Sequence, residues 1–292
     1  MLLLLSNKNK IMHKLLSFAI VSLLFSFCCV ANEIVPDDTL LYKQTKQGDL
    51  NLYVFYPNGK KAGVDRAVIV FFFGGGWVGG TPKQFYQQCK FYASHGIVAI
   101  SADYRTKSRN NTTPFECVKD GKSAIRWVRS HSKTLGINPD KIIASGGSAG
   151  GHIAACTALI KGYEEDGEIL SVSSVPNALV LFNPVLDTTE KGYGASKVKE
   201  KETCISPNNH IRPNLPPTIL FHGTSDHTVP FTNATFFEKK MQKAGNICKL
   251  VSTKGADHGF FNGSYFRPKN GDKNFNQTIK ESYKFLRRNL LK

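Results

Sequence analysis

The pentapeptide Gly146-Gly147-Ser148-Ala149-Gly150 constrains this chain more than any other feature. It follows the β-branched run Lys141–Ser145 and precedes His152-Ile153-Ala154-Ala155, which opens a helix. A strand that turns into a helix within five residues is crowded at the turn, and only small residues beside the serine avoid a clash. Such a turn strains the serine backbone and leaves its Oγ exposed at the C-terminal edge of a sheet. A glycine-rich phosphate loop is the competing reading, but it needs a lysine and a longer glycine spacing, and both are missing here. Ser148 is therefore expected to be a nucleophile.

The rest of the chain suits a sheet that could carry such a turn. Short β-branched and aromatic runs alternate with longer amphipathic stretches, which predicts a mostly parallel sheet with helices on both faces. The runs are Leu50–Tyr56, Ala67–Phe73, Ile97–Ala102, Lys141–Ser145, Ala178–Phe182, Thr218–His222 and Cys248–Thr253. Ala67–Phe73 has no polar alternation, as expected of a central strand covered on both sides. Thr113-Pro114-Phe115-Glu116 reads as an N-cap, a first-turn proline and a capping-box glutamate, and Gly136 as the end of that helical stretch. The stretch 188–213 resembles neither strand nor long helix and lies where active-site loops fall, so it is a candidate lid or substrate-shaping insertion.

Three further segments supply what a serine nucleophile requires. Acyl transfer needs backbone N–H groups aimed at the developing oxyanion. Gly74 and Gly75, in Phe73-Gly74-Gly75-Gly76-Trp77, and Ala149 are the expected donors. Trp77 beside them is either a platform for a sugar ring or a core plug. His222-Gly223-Thr224-Ser225-Asp226 and Ala256-Asp257-His258 each leave a predicted strand. They give the order serine, acid, base along the chain. His258 is expected to be the base and Asp226 the carboxylate that orients it, with Asp187 as the rival acid. His152, His222 and His227 sit in glycine-rich or capping contexts and are expected to be structural.

The first residues call for a different account. Leu15–Val30 is an apolar run of about 16 residues, preceded by Lys8, Lys10 and Lys14 and no acid, and followed by Ala31. Residues 1–31 are expected to be a cleaved secretory signal, with Met12 as an alternative start, and to direct the protein outside the cell or to the periplasm. Lipidation of Cys28 or Cys29 is disfavoured by Phe27 and Cys28. The run is short for a membrane span. Residues 32–292 would then form one domain. The formal net charge of +16 falls to +13 on removal of the three lysines. No basic cluster is interleaved with aromatics, so nucleic acid is not an expected partner. Cys89, Cys117, Cys156, Cys204 and Cys248 remain, an odd number without metal-ligand spacing. Cys89 and Cys117 are the pair to test for a disulfide, although free buried thiols fit better.

Taken together, strand-GGGW, Asp103-Tyr104-Arg105, GGSAGGH and HGTSDHTVP resemble the hormone-sensitive-lipase-like and acetyl-esterase branches of the α/β-hydrolases, over essentially all of residues 32–292. The resemblance implies the α/β-hydrolase fold and acyl-enzyme chemistry on carboxylic esters, with no metal or organic cofactor. One departure stands out: these families usually open the glycine motif with histidine, and here the residue is Phe73. HGTSDHTVP also resembles dipeptidyl- and prolyl-peptidases, but this chain has no room for their propeller. No long apolar lid helix is visible, so the expected substrates are short acyl esters, acetyl or feruloyl, on a polysaccharide. A general small-molecule carboxylesterase is the alternative, with a peptidase and a catalytically silent binding protein behind it. Nothing in the sequence sets an oligomeric state.

Overall fold

The unbroken apolar run after Arg66 becomes the middle of a sheet. In the computed structural model, which describes residues 33–59 and 65–291, Arg66–Phe72 is β3, lying parallel between β4 (Val98–Ala102) and β5 (Ile137–Gly147). Ala67 to Phe72 are all buried, as a strand covered on both faces must be. β6 (Ala178–Phe182), β7 (Thr218–Gly223) and β8 (Cys248–Thr253) continue the parallel sheet. On the other side, β1 (Asp38–Thr45) and β2 (Gly48–Phe55) form an antiparallel pair that joins β4. The strand order is β1-β2-β4-β3-β5-β6-β7-β8. The signal-peptide expectation, residues 1–31, lies outside the described residues.

Among the described residues, five long helices cover the sheet. α1 (Tyr86–Ser94) and α5 (Lys273–Asn289) share one face, joined by a 2.7 Å hydrogen bond between the Tyr92 and Ser282 hydroxyls. Rings of Phe71, Phe85, Phe182, Phe221 and Phe261 stack against one another on that side. α2 (Pro114–Ser130), α3 (Ala149–Leu159) and α4 (Phe231–Lys243) cover the opposite face. Every residue of α3 is buried, which is why its sequence is apolar all round rather than striped. The expected cap is present: Thr113 Oγ1 accepts the Phe115 N–H, and Glu116 accepts the Thr113 N–H at 2.8 Å. Cys89 and Cys117 lie on α1 and α2, in opposite layers, and all five described cysteines are free thiols.

The Asp103-Tyr104-Arg105 turn after β4 rests on a buried ion cluster. Fully buried Asp120 of α2 accepts Arg105 Nη2 at 2.7 Å, the Arg105 backbone N–H at 2.9 Å and Lys43 Nζ of β1 at 2.6 Å. Glu165 closes the cluster on the same two cations. Removing one member of such a cluster leaves charge without a partner, which costs far more than the intact cluster contributes. Asp120→Ala should therefore lose about 3–5 kcal/mol of stability, read as a drop in the urea midpoint. A loss of less than about 1 kcal/mol would mean that water replaces the carboxylate.

Candidate active site

The turn from β5 to α3 is forced by contact with the neighbouring strand. A Cβ on Gly150 would lie 2.0 Å from the Phe72 carbonyl oxygen and 2.4 Å from that of Phe73. The β3 chain end and the turn are thus packed backbone to backbone, and Ser148 adopts φ 55°, ψ −120°. Its N–H donates to the Phe182 oxygen at 3.0 Å, which fastens the turn to β6 as well.

Two more strand ends bring polar side chains to Ser148. His258, beyond β8, has Nε2 2.9 Å from Ser148 Oγ and Nδ1 2.7 Å from Asp226 Oδ2. A carboxylate only accepts, so Nδ1 carries the proton and Nε2 is left to accept the serine hydroxyl. Asp226, in the loop after β7, also accepts the Thr228 and Val229 N–H groups on Oδ1, both at 2.9 Å. Buried His222 reaches its Oδ2 at 3.2 Å. Burial alone would raise the Asp226 pKa, but hydrogen bonds from His222, His258 and Val229 outweigh it and hold the carboxyl well below the usual range. Asp187 instead accepts the Thr189 N–H and hydroxyl, and Asp257 is exposed. Buried His152 bonds the Ile205 carbonyl, and burial pushes its pKa down to about 4. His227 is exposed.

The glycine loop departs from expectation at one donor. The Gly74 N–H already donates to Gln84 Oε1 at 2.6 Å, so it is not free to meet an oxyanion. The N–H groups of Gly75, Gly76 and Ala149 have no acceptor among the described residues. Gly75, at φ 132°, could carry no side chain, since a Cβ would fall 2.0 Å from the Gly79 oxygen. Gln84 is itself held: its Nε2 donates to Asn262 Oδ1, and Asn262 Nδ2 donates to the Gly259 oxygen. The glycine loop and the histidine loop are therefore strapped together. At the position where histidine is usual, the Phe73 ring stacks on Tyr104 with centroids 4.1 Å apart, and the Tyr104 hydroxyl donates to the Phe73 oxygen at 2.8 Å.

Ser148, His258, Gly75 and Gly76 open on a cavity of about 380 Å³, walled also by Asn183, Tyr193, Phe261 and Arg267. Trp77 is no platform for a sugar: it is 1% exposed and packed against His152, Tyr193 and Gly194. The stretch 188–213 contains one short helix, Ala195–Val198, and a single turn at Pro207–Asn209. It brings Tyr193 and Lys197 against Gly76, where Lys197 Nζ donates to the Gly76 oxygen at 3.0 Å. Sequence reasoning passed over Gln84, Asn262, Asn183, Tyr193 and Lys197. Among the described residues, no group of His, Cys, Asp or Glu could hold a metal ion, and no helix is long and apolar enough to cross a membrane.

A strand-to-helix serine hydrogen-bonded to a histidine and an aspartate from later strand ends, on an eight-stranded sheet of this order, defines the α/β-hydrolase class. Within it the chain belongs to the BD-FAE family, whose model matches residues 52–241. Thermogutta terrifontis esterase 2, solved with propionate bound, is 44% identical with a TM-score of 0.81, covering 88% of this chain and 96% of that one. It has also been solved with butyrate bound, at the same identity. A probable isoprenylcysteine alpha-carbonyl methylesterase of Arabidopsis thaliana is 30% identical over 75% of this chain and 50% of its own length. An acetylxylan esterase of Xylanibacter ruminicola is 29% identical over 62% of this chain and 38% of its own. The chain thus spans half or less of the length of these two relatives.

The depressed Asp226 pKa links stability to pH. A carboxyl whose folded pKa lies below its unfolded value, about 3.9, stabilises the fold above that value, and the contribution is lost as pH falls through the folded pKa. The urea midpoint should therefore fall between pH 5 and pH 3 more steeply in the wild type than in Asp226→Asn. Parallel curves for the two proteins would contradict the shift.

Proposed function

We propose that this chain is a serine ester hydrolase that removes short acyl groups, acetyl or feruloyl, from a polysaccharide, with Ser148, His258 and Asp226 as its catalytic residues. The observation that carries the reading is the chain of hydrogen bonds from Ser148 Oγ through the His258 ring to Asp226 Oδ2. In the first step His258 Nε2 takes the hydroxyl proton as Oγ attacks the ester carbonyl. Asp226 keeps Nδ1 protonated and stabilises the imidazolium that forms. The negative oxygen is met by the N–H groups of Gly75, Gly76 and Ala149, which need no reorganisation because none has another acceptor. His258 then protonates the leaving alcohol, and a water attacks the acyl-enzyme by the same route in reverse.

The cavity supports a short acyl group. Its aromatic walls, Tyr193, Phe261 and Phe266, bound about 380 Å³, and no long helix from the 188–213 stretch extends it. The Thermogutta relative with propionate or butyrate bound supports a short acyl chain, and the Xylanibacter acetylxylan esterase supports a polysaccharide alcohol. The apolar run before Ala31 supports export, and 188–213 is the segment that shapes the entrance.

Ser148→Ala should lower kcat on an acetyl ester at least about a thousandfold and abolish labelling by a fluorophosphonate probe. A variant that keeps a tenth of wild-type activity would sink the assignment. The wild type should prefer 4-nitrophenyl acetate to the octanoate by at least about tenfold in kcat/KM, or roughly 1.4 kcal/mol in the transition state. Equal rates on the two, with no acetate released from xylan, would favour a general carboxylesterase for small molecules.

A further inference from the structure

A second cavity lies beside the one that holds Ser148. It measures about 600 Å³, adjoins the glycine loop through Gly76, and is lined by Lys107, Lys197, Lys199 and Lys201 without an aspartate or glutamate. The buried basic groups of the neighbouring layer are paired: Lys122 and Arg126 with Glu164, and Lys43 and Arg105 with Glu165. The four cavity lysines have no carboxylate partner among the described residues. Lys107, Lys199 and Lys201 are exposed at the rim. Lys197 forms the inner wall, with Nζ 3.0 Å from the Gly76 oxygen and 3.0 Å from the Tyr193 hydroxyl, above the Tyr193 and Trp77 rings.

The cavity therefore gathers four cations and offers no carboxylate: it is short of anionic oxygen.

We propose that this cavity is a subsite for a carboxylate on the alcohol portion of the ester, the uronate of an acylated acidic oligosaccharide. The inference rests on the ester-hydrolase reading above and narrows its substrate. With the acyl group at Ser148, the part of the substrate that continues across Gly76 and Lys197 is the alcohol. A sugar bearing its acid near the ester reaches the lysines along that path.

The test compares acetate release from an acetylated, uronate-bearing xylo-oligosaccharide with release from the same oligosaccharide after reduction of its carboxyl to a neutral alcohol. The wild type should favour the acidic form at least about tenfold in kcat/KM, mostly through KM. Lys107→Gln/Lys199→Gln/Lys201→Gln should bring that ratio close to one. Lys284→Gln/Arg287→Gln/Arg288→Gln, which removes equal charge from α5, should leave it in place. A wild-type ratio near one, or an equal fall in both triple variants, overturns the subsite. If the cavity triple variant does not fold by circular dichroism, Lys199→Gln alone should lower the ratio about threefold, and an unchanged ratio there overturns it too. Hydrolysis of 4-nitrophenyl acetate separates the two readings. With that activity present and the ratio near one, only the subsite fails; with neither ester type cleaved, the ester-hydrolase reading fails.

Discussion

The backbone contact between the end of β3 and the β5–α3 turn governs the rest of the site. Phe72 and Phe73 present their carbonyl oxygens to Gly150 at a distance that excludes any side chain. The same contact brings together two chain segments that leave the sheet side by side: the glycine loop from β3 and the serine turn from β5. Ser148 and the free amides of Gly75 and Gly76 then face one cavity without either loop spanning a gap. Parallel strands make this possible, because their C-terminal ends all emerge on one edge. β7 and β8 add Asp226 and His258 on that edge.

Asp226 shows how much electrostatic work a buried carboxylate can take on when it is fully hydrogen-bonded. Two backbone N–H groups fix one oxygen, and two histidines share the other. His222 is spent on that second contact and on the Val229 carbonyl. Of the two imidazoles at the carboxylate, His258 is the one that also reaches the serine.

The meeting of Ser148, Asp226 and His258 was legible in the sequence because each follows its own strand within a few residues. The central strands were legible for a similar local reason, an apolar run bounded by glycine or a polar turn. β1 was not: it is an edge strand with a mostly half-exposed pattern, and the side chain of its Lys43 is spent on a distant aspartate. Gly74 was misread as a free donor because its acceptor, Gln84, is a side chain of the next short turn, Pro82–Phe85, and a turn signal does not say which way a glutamine points. Gln84 and Asn262 are separated by 178 residues, and no spacing rule joins them. Trp77 was legible as a large ring beside the site, yet its burial depends on Tyr193 and Gly194, which arrive from the irregular stretch 188–213.

Phe73 and Tyr104 stand where an imidazole would otherwise anchor the glycine loop. Burial pushes the Tyr104 phenol well above its usual pKa, and Gln84 and Asn262 have no ionisable group. The scaffold of this loop consequently neither gains nor loses a proton across the neutral range. The amides arranged around the reacting oxygen are thus held by groups that take no part in moving protons, so the positioning of charge and the transfer of protons are separable in this molecule.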